Sequence, residues 1–175
     1  MSARTLILLA GAGLVLAACT TTPAVSSPPL QAVPMSHYSG TWLEIGRRPM
    51  WLTDGCVAGF TTYSAGADAA EVMVLDGCYR DTPSGKLKTI SGKGRVLDAG
   101  GSNAILRVNY PFFQTWTFNV LFEAQDHSWF ISADPKMKNL WIYARKAPSA
   151  RLLAEMKAKA QSLGYDVNRL EFPTQ

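Results

Sequence analysis

Histidine, cysteine and charge are all sparse in this chain of 175 residues, and each shortage removes a class of function. Its two histidines, His37 and His127, lie far apart in the chain order read below, so clustered imidazoles do not supply a metal site. Neither a Gly-x-Ser-x-Gly elbow nor a phosphate-cradling glycine loop occurs. Nucleophilic catalysis needs an activated side chain beside a base. With neither in sight, the chain is expected to be no enzyme and to need no cofactor or metal. Seventeen basic against thirteen acidic residues leave a formal charge of +4. That excess is too small and too scattered for a nucleic-acid footprint. Long apolar runs are missing too: Leu6 to Leu16 is too short to cross a bilayer as a permanent helix. No helical period interrupts the stretch from Trp42 to Arg145, which excludes a parallel sheet with crossover helices.

The first residues read as an address. Met1 to Arg4 is a short positive start, the apolar run follows, and Leu16-Ala17-Ala18-Cys19 closes it. One reading is an ordinary signal cut near Ala18, with Cys19 an incidental thiol. The quartet, however, resembles the lipobox of bacterial lipoproteins. That resemblance implies a signal peptide over 1–18 and a membrane anchor of acyl chains on Cys19. Thr20 stands where aspartate would favour inner-membrane retention, so the analogy implies an outer membrane, with the protein facing the periplasm. Thr20 to Pro34 is rich in Thr, Ser, Pro and Ala without a hydrophobic period. A lipidated tether over 19–36 and a folded domain over 37–175 are expected.

Cys56 and Cys78 remain. In an exported protein an even pair is expected to bridge, stabilising the fold by roughly 3 kcal/mol. The rival is a metal site joining these thiols to His37 or His127, which no ligand spacing supports. A free thiol would be the one obvious nucleophile.

Eight short alternating runs follow one another: Trp42 to Met50, Val57 to Tyr63, Glu71 to Tyr79, Lys86 to Leu97, Ala104 to Tyr110, Thr115 to Glu123, Ser128 to Ala133 and Leu140 to Arg145. Turn residues separate them, so an antiparallel barrel or a sandwich is expected. In the fourth run, Ile90, Gly92, Gly94 and Val96 share one face. Small inward residues let a long strand bend, and they favour a cavity over a packed interior. In the sixth, Trp116, Phe118, Val120 and Phe122 share a face, with Glu123 on the other. Ser149 caps a predicted helix whose stripe Leu152, Leu153, Met156, Ala160 and Leu163 should pack outside the sheet, with Gly164 ending it. Val167 to Phe172 is a candidate ninth strand.

Three motifs now carry a resemblance. Tyr38-Ser39-Gly40-Thr41-Trp42-Leu43-Glu44-Ile45-Gly46-Arg47 resembles the Gly-x-Trp opening of the first lipocalin strand, closest to bacterial lipocalins and apolipoprotein D. Leu140-Trp141-Ile142-Tyr143-Ala144-Arg145 resembles the last strand of those barrels, and Gly92-Lys93-Gly94-Arg95 their fourth. The resemblance implies an all-β, eight-stranded up-and-down antiparallel barrel with a C-terminal helix packed outside. Gly40, Trp42 and Arg145 would be its closing scaffold, with the guanidinium stacked on the indole. Glu44, two residues from Trp42, should point inward, either as a polar handle at the cavity floor or as a satisfied structural group.

Arg48-Pro49-Met50-Trp51-Leu52 and Tyr110-Pro111-Phe112-Phe113 depart from the family by being unusually apolar for loops. Glu44, Trp51, Phe112, Phe113, Trp116 and Phe118 are the candidate ligand contacts. Arg47, Arg48 and Lys136 are candidate basic groups for a head group. The family implies carriage or storage of fatty acids, lysophospholipids or similar lipophilic molecules for membrane maintenance, with homodimers among relatives. Two other readings stand beside it: a ligand-free lipoprotein binding a protein partner through its aromatic loops, and a lipocalin-fold enzyme.

Overall fold

The computed structural model describes residues 28–175. The signal 1–18, Cys19 and the first part of the tether lie outside the described residues. Eight strands run β1 Gly40–Arg47, β2 Cys56–Ala65, β3 Glu71–Arg80, β4 Leu87–Val96, β5 Ile105–Tyr110, β6 Gln114–Glu123, β7 Trp129–Ala133 and β8 Leu140–Ala144. Each pairs antiparallel with the next, and β8 returns to β1, closing the barrel. Closure leaves no sheet edge unpaired. Helix α1, Ala150–Ser162, lies outside. The Ser149 hydroxyl accepts from the Leu152 amide at 3.2 Å, and Gly164 ends the helix at φ +86°.

Period-two alternation builds two apolar layers. Inside lie Trp42, Val74, Val96, Leu106, Val108, Phe130 and Tyr143. Outside, the alternate residues Ile131, Leu140, Ile142 and Ala144 meet Met156 and Ala160 of α1. The helix stripe is therefore core, as its spacing predicts.

Register shifts in β1, β2 and β6 break the alternation, and those in β1 and β6 correct the sequence reading. In β1 the register against β8 slips between Glu44 and Gly46. Ile45 and Gly46 both face outward, the latter against Phe172, and Arg47 turns inward. In β6 the register slips between Val120 and Phe122. Leu121 and Phe122 both join the outer layer, so Phe122 does not share a face with Trp116 and Phe118. Glu123, expected on the outer face, is buried with 4% exposure. An extra residue in one strand flips every side chain beyond it.

Three further expectations change. Val167 to Phe172 adds no ninth strand: it forms a 3-10 turn at Val167–Arg169 and a single bridge from Glu171 to Arg47. The folded part starts before residue 37, because Val33 is buried and Gln31 donates its amide to the Val120 carbonyl. Nor do the inward glycines of β4 open the cavity. A Cβ at Gly92 would strike Val108 and Tyr110, and one at Gly94 would meet Leu106. Side chains of β5 fill that space.

Candidate functional site

The Gly-x-Trp segment closes one end. Trp42 is fully buried, and the Arg145 guanidinium carbon lies 3.4 Å from its ring centroid. Such a contact is worth ~0.5–2 kcal/mol. Arg145 also donates to the Ser39 and Thr41 carbonyls at 2.9 and 3.0 Å. Gly40 sits at φ +67°, a left-handed conformation that glycine adopts without strain. Trp42, Arg145 and Gly40 therefore serve the scaffold.

The same end holds a network that the sequence reading missed. His37 donates to one Glu123 oxygen at 2.7 Å and His127 to the other at 3.0 Å. Far from being separate, the two histidines share one carboxylate. Burial alone would raise Glu123, but hydrogen bonds and charge from His37 and His127 outweigh it, holding Glu123 below its usual range. Gln31 Nε2 donates to the Glu123 carbonyl at 2.9 Å, so this cluster fastens the N-terminal segment under the barrel.

Above the plug lies a cavity of about 480 Å³, inside the range of small-molecule sites. Its walls are largely apolar: Ile90, Trp116, Phe118, Trp141 and the Cys56–Cys78 disulfide. With both sulfurs bridged, neither thiol is a free nucleophile. Trp116 and Phe118 line the cavity as expected, each edge-on to Trp141 at 6.0 and 5.0 Å. Met50, Trp51, Leu52, Pro111 and Phe112 border the mouth. Phe113 does not line the cavity; it is fully exposed. Arg48 and Lys136 are not in the lining either.

Two carboxyl groups sit on the cavity wall. Glu44 points inward and accepts from Arg47 Nη1 at 2.5 Å, which favours the satisfied-group reading of that residue. Burial raises Glu44 above its ordinary value, the Arg47 charge opposes this, and the nearby Asp76 charge adds to it. Asp76, not foreseen, accepts from the Thr61 hydroxyl and the Tyr110 hydroxyl, both at 2.5 Å. Burial raises it too, against those two hydrogen bonds. An aspartate on the Val72, Val74, Cys78 face of β3 was the legible signal.

Arg47, a candidate basic group for a head group, is 2% exposed. It spans Glu44, Glu171 at 2.6 Å, the Cys56 carbonyl at 2.8 Å and the Thr53 carbonyl at 3.3 Å. Burial would lower its pKa, but the two carboxylates outweigh that. Its donors are engaged in tying wall, C-terminal segment and mouth loop together, so Arg47 is not a free head-group ligand. Gly46, a lone glycine in an alternating strand, was the signal of its bulge.

A lipocalin-like domain family matches residues 33–175. The chain belongs to the lipocalin-like family. A lipocalin of Acanthamoeba polyphaga mimivirus is 25% identical over 143 residues, covering 78% of this chain and 81% of that one. Insecticyanin of the tobacco hornworm Manduca sexta superposes with a TM-score of 0.64 at 13% identity, over 86% of this chain and 85% of its own. Lobster apocrustacyanin A1 gives 0.60 at 16% identity, over 80% and 78%. At such identities the two structures establish the lipocalin barrel alone. Membership of the lipocalin-like family points to binding or transport of a small hydrophobic ligand, and the cavity is where this lipocalin would hold it.

Proposed function

We propose that this lipocalin is a lipid-anchored carrier or storage protein for single-chain amphiphiles, fatty acids and lysophospholipids among them, serving membrane maintenance. The single observation that carries the proposal is the apolar-walled cavity of about 480 Å³ that opens at the mouth between the Trp51 and Phe112 loops. A barrel used only as an interaction scaffold would have a filled interior. Burying ~15 methylenes gives a gross gain of about 12 kcal/mol. Association costs several kcal/mol or more, leaving micromolar affinity or somewhat better.

The two carboxyls fix the ligand's orientation. A carboxylate or phosphate pushed inward would meet Glu44 and Asp76 with Arg47 already engaged, so the tail enters first and the head stays at the mouth. Lys88 stands there, its Nζ donating to the Leu52 carbonyl at 2.8 Å. The lipobox-like Leu16-Ala17-Ala18-Cys19 supports an anchor on Cys19, and Thr20 after it supports an outer-membrane location.

Native mass spectrometry with lipid extraction tests the proposal, on protein beginning at Thr20 and purified from bacteria. The described contacts lie within residues 28–175, so this form keeps them. One equivalent of a single-chain lipid is expected. An empty barrel that also refuses added fatty acid and lysophospholipid contradicts the proposal.

A further inference from the structure

The up-and-down order places the β1–β2, β3–β4, β5–β6 and β7–β8 links at one end of the barrel, around the mouth. Three large apolar side chains stand out from this rim: Trp51 is 74% exposed, Phe112 89% and Phe113 104%. Phe112 and Phe113 both take left-handed backbone conformations, at φ +61° and +58°. Bulky residues rarely do so, and neither ring belongs to either apolar layer that would compensate the strain. Strain that packing within the chain does not repay points to a contact outside it.

Charge divides along the same axis. The rim and the strand ends beside it carry Arg48, Arg80, Lys86, Lys88, Lys136 and Lys138, against three aspartates. The opposite links, residues 66–70, 97–104 and 124–128, carry Asp68, Asp98 and Asp126 and no lysine or arginine. Beside the closed end, Arg95, Arg145 and Lys146 lie at or just past the strand termini, so the mouth holds the larger but not the whole share of the basic side chains. Aromatic tips set among lysines are the composition of a surface that lies in a bilayer interface, rings in the acyl boundary and ammonium groups at anionic phosphates.

We infer that the open rim is a docking surface for an anionic lipid bilayer, with Trp51, Phe112 and Phe113 entering the interface mouth first. The N-terminal segment reaches the barrel at the opposite, closed end. Rim docking is therefore separate from any anchor on Cys19.

Flotation of the protein beginning at Thr20 with vesicles tests this, using phosphatidylcholine alone or mixed with phosphatidylglycerol. Co-flotation with the mixed vesicles is expected, weakening as salt screens the lysines. The double variant Phe112→Asn, Phe113→Gly should lower partitioning roughly tenfold or more. Both replacements suit a left-handed turn, and a thermal melt no lower than that of the parent shows that the loss is not misfolding. Lys136→Glu with Lys138→Glu should weaken the preference for phosphatidylglycerol. Absence of binding, equal binding to neutral vesicles, or undiminished binding by the Phe112/Phe113 variant overturns the inference, whatever the outcome of ligand extraction.

Discussion

Phe113 shows how one residue can be strained and exposed at once. Glycine takes its left-handed conformation without the Cβ clash, so Phe113→Gly should raise stability by about 1 kcal/mol in urea denaturation. A loss of stability would mean that the ring packs against the protein after all. Asp76 shows a different tension. Its carboxyl is raised by burial, so the folded state holds its proton at pH values where the unfolded chain has released it. Stability then falls as pH rises from the ordinary aspartate value toward the raised one. Asp76→Asn keeps the shape and removes that fall, so its stability relative to the parent should grow with pH across this window. A difference independent of pH, measured by urea denaturation at several pH values, would contradict the assignment. Asp76 was open to sequence reading as an acid on an apolar face. The engagement of Arg47 was not, because the outer position implied by strict alternation is undone by one extra residue in β1.

The elements themselves were largely legible, because alternation, turn residues and the Ser149 and Gly164 caps are local signals. What alternation hid were the bulges in β1 and β6, each of which reverses the faces beyond it. Leu121-Phe122, two apolar residues in succession, was the trace left by the second. The N-terminal segment escaped for another reason: its Ser- and Pro-rich composition is that of a tether, while its order comes from long-range partners. Glu123 is chief among these, with His37 and Gln31 both held to it. Glu123→Ala leaves His37 buried without its partner and should cost about 3 kcal/mol. Amide exchange at Gln31 and Val33 should quicken more than in the β3–β4 ladder. Because Glu123 is held below its ordinary value, its contribution is present above that value and is lost as pH falls through the lowered one. His127→Ala should cost much less, its ring being more than half exposed.

At the scale of the whole molecule the barrel is polarised twice. One end is plugged by Trp42 and fastened by Glu123, while the other opens onto the cavity and gathers aromatic rings and basic side chains. The glycines of β4, read as a sign of inner space, mark instead where β5 side chains press against the wall. The cavity owes its apolar wall to Ile90, Trp116, Phe118 and Trp141. That lipophilic cargo rests there is the central claim. It is tested most directly by titrating lysophospholipid into the delipidated protein while following tryptophan fluorescence, since Trp116 and Trp141 form part of the wall. A saturable change at one equivalent with micromolar or tighter affinity, abolished when Ile90→Trp narrows the cavity, is the expected result. A linear, unsaturating response, or one that Ile90→Trp leaves intact, would contradict it.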